Sequence, residues 1–218
     1  MDPERAEAIV LRLQPVTESS LLVTWFTREC GKLKTLAKGA RRPKSPFRGK
    51  LDLFYRAEIV FLRSQRSDLH LLHECFLEEP HRGVRDSVAR LAVASYATEL
   101  VELASAAEDP NPRVFEALGG LLDALPPREP AGLLIWFELQ LLAASGWAPR
   151  WEAEAGVGRV LQSLAGASLA AAQRVRLSAA QVAEARRVLW AVWDRELGRV
   201  PRSRKMVAEQ IPGCPGTS

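Results

Sequence analysis

The pattern of hydrophobic and polar positions divides the chain into two parts. From Glu7 to Glu78 apolar residues recur at nearly every second position, in short runs rich in β-branched and aromatic side chains. This spacing is typical of half-buried strands, and turn-forming residues separate the runs. It predicts five strands, at residues 8–13, 21–27, 32–38, 54–63 and 69–78. A small closed barrel is favoured over an open sheet, because closure leaves no exposed strand edges.

After Pro80 the apolar period lengthens and strong helix formers become common. Three-and-four spacing predicts helices at residues 86–107, 111–125, 130–146 and 178–197, with weaker helical leanings at 157–171. Asp86 and Ser178 are the predicted N-caps, and Gly146 can take the left-handed conformation that ends a helix. Periodicity is lost after Met206, so the last residues are predicted to fray.

These two patterns predict an α+β multidomain protein, in which an all-α helical domain follows an N-terminal five-stranded β-barrel of the oligonucleotide-binding (OB) type. We place the barrel at residues 1–80, the helical domain at 81–206 and a flexible tail at 207–218. Apolar residues make up 47% of the 218 positions, which is enough for real cores. Because no apolar run approaches the roughly 18 residues of a membrane span, and no signal peptide is apparent, we expect a cytoplasmic protein.

Positive charge is concentrated in one segment of the barrel half. Nine lysines and arginines stand between residues 28 and 50 against Glu29 alone, although the net charge of the chain is only +4. Charge this dense is tolerated where a partner with regularly spaced negative charge neutralises it, most often a phosphate backbone. We therefore predict a nucleic-acid surface formed by Arg28, Lys32, Lys34, Lys38, Arg41, Arg42, Lys44, Arg48 and Lys50.

Aromatic residues are interleaved with these charges, which favours a surface for single strands over a merely solvated charged face. Trp25, Phe26 and Phe54 lie within apolar strand runs, where at least half of them should be core residues. Phe47 lies inside the basic loop and is the best candidate for stacking on bases. The tryptophans of the helical half are expected in the core or, alternatively, at the rim of a groove for a partner's peptide.

No constellation of catalytic or metal-binding residues stands out. Gly119-Gly120 lacks the strand-to-helix context of a nucleotide-binding loop. His70 and His73 are predicted on opposite faces of a strand as surface residues, and His81 as a hydrogen-bonded or solvent-facing imidazole. The three cysteines are far apart in sequence, so buried or idle thiols are expected. We predict a protein that is not an enzyme and holds no cofactor or metal.

The stretch from residue 8 to residue 54 resembles the bacterial recombination mediator family RecO. The shared features are a strand, a Pro and Glu-Ser turn, a strand ending in Phe-Thr, a glycine turn and the segment at residues 37–41, Ala-Lys-Gly-Ala-Arg. Many members carry two CxxC pairs in a zinc-ribbon-like insert. This chain has no cysteine between Pro149 and Ser178, where that insert would lie, so the zinc is not carried over. A short Ala-rich helical segment is expected in its place.

The resemblance implies a DNA-binding mediator of recombinational DNA repair, associated with the nucleoid and without catalytic activity. Proteins like RecO bind single- and double-stranded DNA and anneal complementary strands. They contact the acidic tail of single-strand-binding protein (SSB) and, with their partner RecR, help load RecA onto SSB-coated DNA. The residues alone leave two other classes of protein open. One is an RNA-binding protein, because a basic barrel also suits RNA. The other is a hydrolase or nuclease with an unrecognised site, which would need clustered acidic residues for a metal, and the basic domain has few.

Overall fold

All five predicted strands are present in the structure, a computed structural model that describes residues 3–126, 131–149 and 156–211. The strands are β1 (Pro3–Pro15), β2 (Leu21–Thr27), β3 (Gly31–Ala37), β4 (Arg56–Leu62) and β5 (Leu69–Glu79). They form a closed barrel in the order β1-β2-β3-β5-β4, in which β3 and β5 are parallel and the other neighbours antiparallel. The predicted OB-type barrel is therefore confirmed.

Alternate strand positions fill the interior of the barrel. In β3, Leu33, Thr35 and Ala37 are buried, whereas Lys34 between them is exposed. Trp25 of β2 is completely buried, and its indole Nε1 donates a 2.8 Å hydrogen bond to Oγ1 of Thr35 on the neighbouring strand. The largest side chain of the interior thus satisfies its polar atom inside the barrel.

Residues 105–115 pack with the barrel and not with the helices. The chain divides into a barrel unit, residues 1–81 with 105–115, and a helical unit, residues 82–104 with 116–218. The N–H of Glu108 donates to the carbonyl of Lys32 at 2.8 Å, and its carboxylate contacts Arg63 and His70. The helical domain that the sequence places at residues 81–206 is therefore interrupted. Pairing between segments far apart in the chain does not change the local hydrophobic period, so the sequence pattern could not predict this interruption.

This segment also lies against the β2–β3 turn. Gly31 has a φ of +68°, and a Cβ on it would overlap the carbonyl oxygen of Asp109. The hydroxyl of Thr27 donates to the carbonyl of Gly31 at 2.9 Å and accepts from the N–H of Cys30 at 3.0 Å. The turn thus requires glycine both for its backbone conformation and for space.

Helices make up the second unit, although the first turn of the second long helix, residues 112–115, belongs to the barrel unit. After a short 3-10 helix (Arg82–Asp86), the chain forms α1 (Val88–Ala104), α2 (Pro112–Ala124), α3 (Ala131–Ala144), α4 (Val157–Ala165), α5 (Leu169–Ala172), α6 (Ala179–Leu197) and α7 (Arg204–Gln210). Helix α3 is buried along nearly all of its length, as its uniformly apolar sequence predicts. Within the described ranges, no helix is long and apolar enough to cross a membrane.

The ends of the helices follow the predicted capping signals with one exception. Ser178 and Gln181 form a capping box at the start of α6, in which each side chain accepts a hydrogen bond from the other's backbone N–H. Gly146 has the predicted left-handed conformation, with a φ of +72°. Asp86, the predicted cap of α1, ends the 3-10 helix instead. Ser87 takes the cap position, where its hydroxyl accepts a hydrogen bond from the N–H three residues later.

The chain remains helical beyond Met206, where the sequence predicts fraying. Val207 and Ile211 are both buried, so the flexible tail predicted at residues 207–218 is wrong for its first residues. Glu99 of α1 holds the turn before α7, since its carboxylate accepts hydrogen bonds from two backbone N–H groups of that turn. A helix of seven residues is too short to produce a recognisable period. Residues 212–218 lie outside the described part of the chain.

A buried ion pair lies at the centre of the helical unit. Glu138 of α3 and Arg186 of α6 are fully buried and salt-bridged, and Tyr96 of α1 donates a 3.2 Å hydrogen bond to the Glu138 carboxylate. Burial raises the pKa of the Glu138 carboxyl group, and the Arg186 guanidinium opposes this effect. Nε and Nη2 of Arg186 have no hydrogen-bond partner in the described ranges. One polar cluster therefore joins three helices.

We predict that loss of either member of this pair destabilises the helical unit, but unequally. Glu138→Leu leaves the arginine charge buried without its carboxylate and should lower the free energy of unfolding by about 3–5 kcal/mol. Arg186→Leu should cost less at low pH, because a carboxyl group in an apolar site can take up a proton. As the pH rises through the raised pKa of Glu138, the variant should lose stability, because the folded state holds a proton that the unfolded chain has released.

Urea unfolding at about pH 5 and about pH 8 measures both effects. Arg195→Leu is the control, since Arg195 forms an exposed ion pair with Glu196 on the same helix α6 and should change the stability by less than about 1 kcal/mol. Equal and pH-independent losses for Glu138→Leu and Arg186→Leu would contradict the prediction.

A second prediction concerns the close approach at the β2–β3 turn. Gly31→Ala should lower the free energy of unfolding by at least about 2 kcal/mol, because the methyl group overlaps the backbone of Asp109 and the φ is strained as well. Gly49→Ala is a matched control, since Gly49 has a φ of +73° but nothing lies within 4 Å of an added Cβ. It should cost only the strain, about 1 kcal/mol. Urea midpoints that shift equally in the two variants would argue against the overlap.

Candidate nucleic-acid interface

The basic segment, residues 28–50, includes β3 and then forms a folded loop between β3 and β4. Consecutive turns shape this loop. The N–H of Arg42 donates to the carbonyl of Gly39 at 3.0 Å. The N–H of Ser45 donates to the carbonyl of Arg42 at 3.0 Å, and the N–H of Lys50 donates to the carbonyl of Phe47 at the same distance. The charged side chains therefore project from a structured backbone.

The turn between β1 and β2 supports the loop from the side. The N–H of Arg41 donates to the carbonyl of Ser19 at 2.9 Å, and Nη1 of Arg41 lies 3.4 Å from the carbonyl oxygen of Thr17. The N–H of Gly39 lies 3.4 Å from the hydroxyl of Ser20. The Glu-Ser turn and the Ala-Lys-Gly-Ala-Arg segment, which the sequence separates by about twenty positions, are thus in direct contact.

Five exposed cations on this loop have no carboxylate within 4 Å among the residues that the structure describes. We refer to them as the loop cations: Lys38, Arg41, Arg42, Lys44 and Arg48. Several other cations of the barrel, by contrast, form ion pairs. Arg5 pairs with Glu58 and Arg63 with Glu4, both at 2.7 Å. Charge without internal compensation produces a strong local positive potential, and this loop is where it is concentrated.

Three of the loop cations, Arg41, Arg42 and Arg48, border a cleft of about 360 Å³, which we call the loop cleft. Its lining has two chemical characters. Leu21, Phe47 and Leu51 contribute apolar surface that packs against the interior of the barrel, and Arg41, Arg42 and Arg48 contribute guanidinium groups. A concave apolar surface bordered by cations suits a ligand that has both a flat apolar part and an anionic part.

Two further cations lie in one row on the outer face of the barrel. Lys34 is exposed, and its 3.3 Å ion pair with Asp68 is exposed too, so the pair is weak and the lysine remains available. Thr24 of β2 pairs with Lys34 on one side and with Arg12 of β1 on the other, and Arg12 is also exposed. The sequence pattern did not single out Arg12, because one arginine in an alternating strand is ordinary. Only the strand register places it in one row with Lys34, with Thr24 between them.

Three predicted site residues already have partners in the barrel unit. Nε of Arg28 forms a 2.7 Å ion pair with Glu7, and its guanidinium lies 5.3 Å from the ring centroid of Phe115. The ammonium of Lys50 lies 6.0 Å from the ring centroid of Phe76. Lys32 is half-buried, and its backbone pairs with residues 107 and 108. The structure thus separates these residues from the loop cations, which charge counting could not do.

Phe47, the residue that the sequence predicts to stack on bases, is largely buried. Its side chain is only 6% exposed and belongs to the apolar cluster inside the barrel. Burial of an aromatic ring contributes about 1.5–3 kcal/mol, which explains why this residue anchors the loop inward. Trp25, Phe26 and Phe54 are buried as well, in agreement with the prediction that at least half of them are core residues.

Two of the three histidines, His70 and His81, are buried and form hydrogen bonds within the protein. His70 is not a surface residue as the sequence predicts: it is 2% exposed, its Nδ1 accepts from the N–H of Ser64 at 3.2 Å, and its Nε2 lies 3.0 Å from a carboxylate oxygen of Glu108. Since Nδ1 is an acceptor, the neutral ring carries its proton on Nε2. His73 is exposed. His81 is buried, and its Nδ1 donates to the carbonyl of Phe54 at 2.7 Å.

Both cysteines of the barrel have a raised thiol pKa. Burial raises the pKa of the Cys75 thiol to about 11, so it is protonated at neutral pH. Burial also raises the pKa of Cys30. Within the described ranges, no group of three or more His, Cys, Asp or Glu side chains is placed to hold a metal ion. Cys214 lies outside those ranges.

Comparison with known proteins gives two family matches along the chain. The model described as "Recombination protein O N terminal" matches residues 1–81, and "Recombination protein O C terminal" matches residues 85–163. The first match contains the whole of the barrel strands and the loop cations. The second begins just before α1 and ends within α4.

Individual relatives agree with the family matches. The DNA repair protein RecO of Syntrophus aciditrophicus is 34% identical over 146 residues, 66% of this chain and 56% of the relative. That of Rhodopirellula baltica is 36% identical over 145 residues, 65% and 53%. That of Anaeromyxobacter dehalogenans is 36% identical over 161 residues, 72% and 63%. The chain thus spans little more than half the length of the first two relatives. Together, these matches show that the chain belongs to the recombination protein O (RecO) family of DNA repair proteins.

Proposed function

We propose that this chain binds DNA through the loop cations and acts as a non-enzymatic mediator in recombinational repair. The observation that carries the proposal is the group of five exposed cations, without a carboxylate neighbour in the described ranges, on one folded loop of an OB-type barrel. A phosphate backbone supplies evenly spaced negative charge, and its neutralisation releases condensed counterions. Membership of a family of DNA repair proteins supports DNA as the polyanion.

The proposed interface extends from the loop to the outer face of β3. The loop cations form its centre. Lys34, with Arg12 in the same row two strands away, extends it along the barrel. Lys32, Lys50 and Arg28 belong to its margin, because they already have contacts within the barrel unit. Contacts to phosphate carry no sequence information, so binding should tolerate any base sequence and both single- and double-stranded DNA.

Annealing of complementary strands follows from the same surface without a catalytic residue. Two DNA strands repel each other through their phosphates, and a dense group of cations reduces that repulsion when both strands contact it. Strands held at one surface also meet at a higher local concentration than in solution. Pairing is then accelerated without the formation or cleavage of a covalent bond.

For the helical unit we propose the protein contacts of the mediator: the acidic tail of SSB, and RecR in the loading of RecA onto SSB-coated single strands. The segment between α6 and α7 supports the first contact. Arg199 and Arg202 are exposed there, on either side of Val200, whose side chain is 57% exposed. A pair of cations beside an apolar side chain is complementary to an acidic peptide that also carries apolar residues.

Reversal of charge on the loop should weaken DNA binding for all sequences alike. Arg41→Glu combined with Arg42→Glu should flatten the plot of log affinity against log salt concentration by roughly one unit per lost phosphate contact. Fluorescence anisotropy of a labelled single strand in a salt series measures the slope. The same titration with matched RNA and DNA competitors distinguishes the two polymers, and a clear preference for RNA would contradict the proposal.

The control for this experiment is Arg5→Glu. Arg5 is an exposed arginine on the same barrel, but it lies near the start of β1, where it is paired with Glu58. Its replacement changes the net charge of the chain in the same direction at a distant position. The slope should remain close to that of the wild type. Equal flattening by the Arg5 and Arg41/Arg42 variants would show that net charge, and not the loop, determines binding.

The two proposed surfaces should be separable in one full-length protein. Arg199→Glu combined with Arg202→Glu should lower the affinity for a labelled SSB tail peptide at low salt by roughly tenfold, because each replacement turns an attraction into a repulsion. The affinity for a single strand should change little. The Arg41→Glu/Arg42→Glu protein should show the opposite result. Annealing of SSB-coated oligonucleotides should be impaired in both variants, and unimpaired annealing would contradict the mediator role.

A further inference from the structure

We propose that the loop cleft binds one unstacked nucleobase of a single strand, with the adjacent phosphates on its arginines. The inference rests on the proposed DNA binding and specifies which part of the ligand enters the fold. It gives Leu21, Phe47 and Leu51 a role that electrostatic binding alone does not require. A site of this kind turns a diffuse cationic surface into one with a defined position for a nucleotide.

The lining of the cleft matches the two parts of a nucleotide. Apolar side chains line it from the barrel side, and all three belong to or pack against the barrel core, so their positions are fixed by the fold. Arg41, Arg42 and Arg48 line it from the loop side. A guanidinium group can bind a phosphate through two parallel hydrogen bonds or lie flat on a base. A nucleobase is flat and largely apolar on its faces, while its phosphates are anionic.

The size of the cleft limits what can enter. Its volume of about 360 Å³ lies at the small end of the range of roughly 300–1,000 Å³ that is typical of ligand sites. It therefore accommodates one base with its sugar and not a run of stacked bases. In a duplex, the entry of a base would require unpairing and unstacking, which is costly. The cleft should consequently favour single strands.

Charge beyond the cleft favours a nucleic acid over an acidic peptide. Lys38 and Lys44 are exposed on the same loop without lining the cleft, and Lys34 continues the positive surface on β3. A ligand with negative charge only inside the cleft would make no contact with these lysines. A strand with one phosphate per nucleotide can place a base in the cleft and contact the lysines with the neighbouring phosphates.

Ala40→Leu tests the inference without a change in charge. Ala40 lines the cleft and is only half-buried, so the larger side chain can extend into the empty volume. The full chain should bind an oligothymidine strand about tenfold more weakly after this substitution, with an unchanged salt slope. A strand of the same length built from abasic units should bind the wild type more weakly than oligothymidine. For that strand, Ala40→Leu should have no further effect.

Two controls keep this result distinct from a failure of the proposed function. Ala143→Leu, at an exposed position of α3, makes the same chemical change in the helical unit and should leave both affinities unchanged. Arg41→Ala combined with Arg42→Ala should flatten the salt slope for both strands. If that slope does not change, DNA binding by the loop itself is wrong, whereas a changed slope with no effect of Ala40→Leu rejects the base site alone.

Three further outcomes would overturn the inference. One is equal binding of oligothymidine and the abasic strand to the wild type, a result that does not depend on the folding of any variant. Another is a loss in Ala40→Leu that is the same for both strands, because it would point to a general disturbance of the loop. The last is a loss of affinity for an acidic apolar peptide without any loss for DNA, because it would make the cleft a peptide site.

Discussion

The order of the strands determines where the positive charge lies. In the barrel, β5 lies between β3 and β4 and is hydrogen-bonded to both. The chain therefore cannot join β3 to β4 by a tight hairpin, and the connection has to span the position of β5. The connection is long for this reason, and Phe47, Leu51 and Leu53 fix it by packing against the barrel core. The loop cations are attached to a backbone held in this way. The barrel topology therefore positions the proposed DNA contacts, and the fold of the loop presents them together.

The distribution of ion pairs separates structural from available charge. Arg28, Arg56 and Arg63 are bound by carboxylates of the barrel unit, and they hold β1, β4 and the segment 105–115 in place. The loop cations instead repel one another without local compensation. Such repulsion opposes the compact loop, and the burial of Phe47 is the interaction that offsets it. An anion bound at the loop would relieve the repulsion, so binding and loop stability are coupled.

Local features of the fold could be predicted from the sequence, and distant contacts could not. Alternation located all five strands, and Ser178 marked the start of α6, because these signals depend on neighbouring residues. The Glu138–Arg186 pair and the docking of residues 105–115 join positions far apart in the chain. Likewise, the dense charge identified the basic segment. Only the structure distinguished Arg28 from the loop cations and showed that Phe47 is buried in the barrel core. In an irregular loop, no sequence period indicates which side chains point inward, so burial cannot be predicted from the pattern.

The packing of residues 105–115 with the barrel affects how a barrel could be exchanged between genes. The barrel is not one uninterrupted stretch of the gene, since the codons for α1 separate its strands from the segment that pairs with β3. A crossover near the codon for residue 81 would transfer the five strands without the segment that covers the Gly31 turn. Transfer of the complete barrel to another gene would therefore require two junctions.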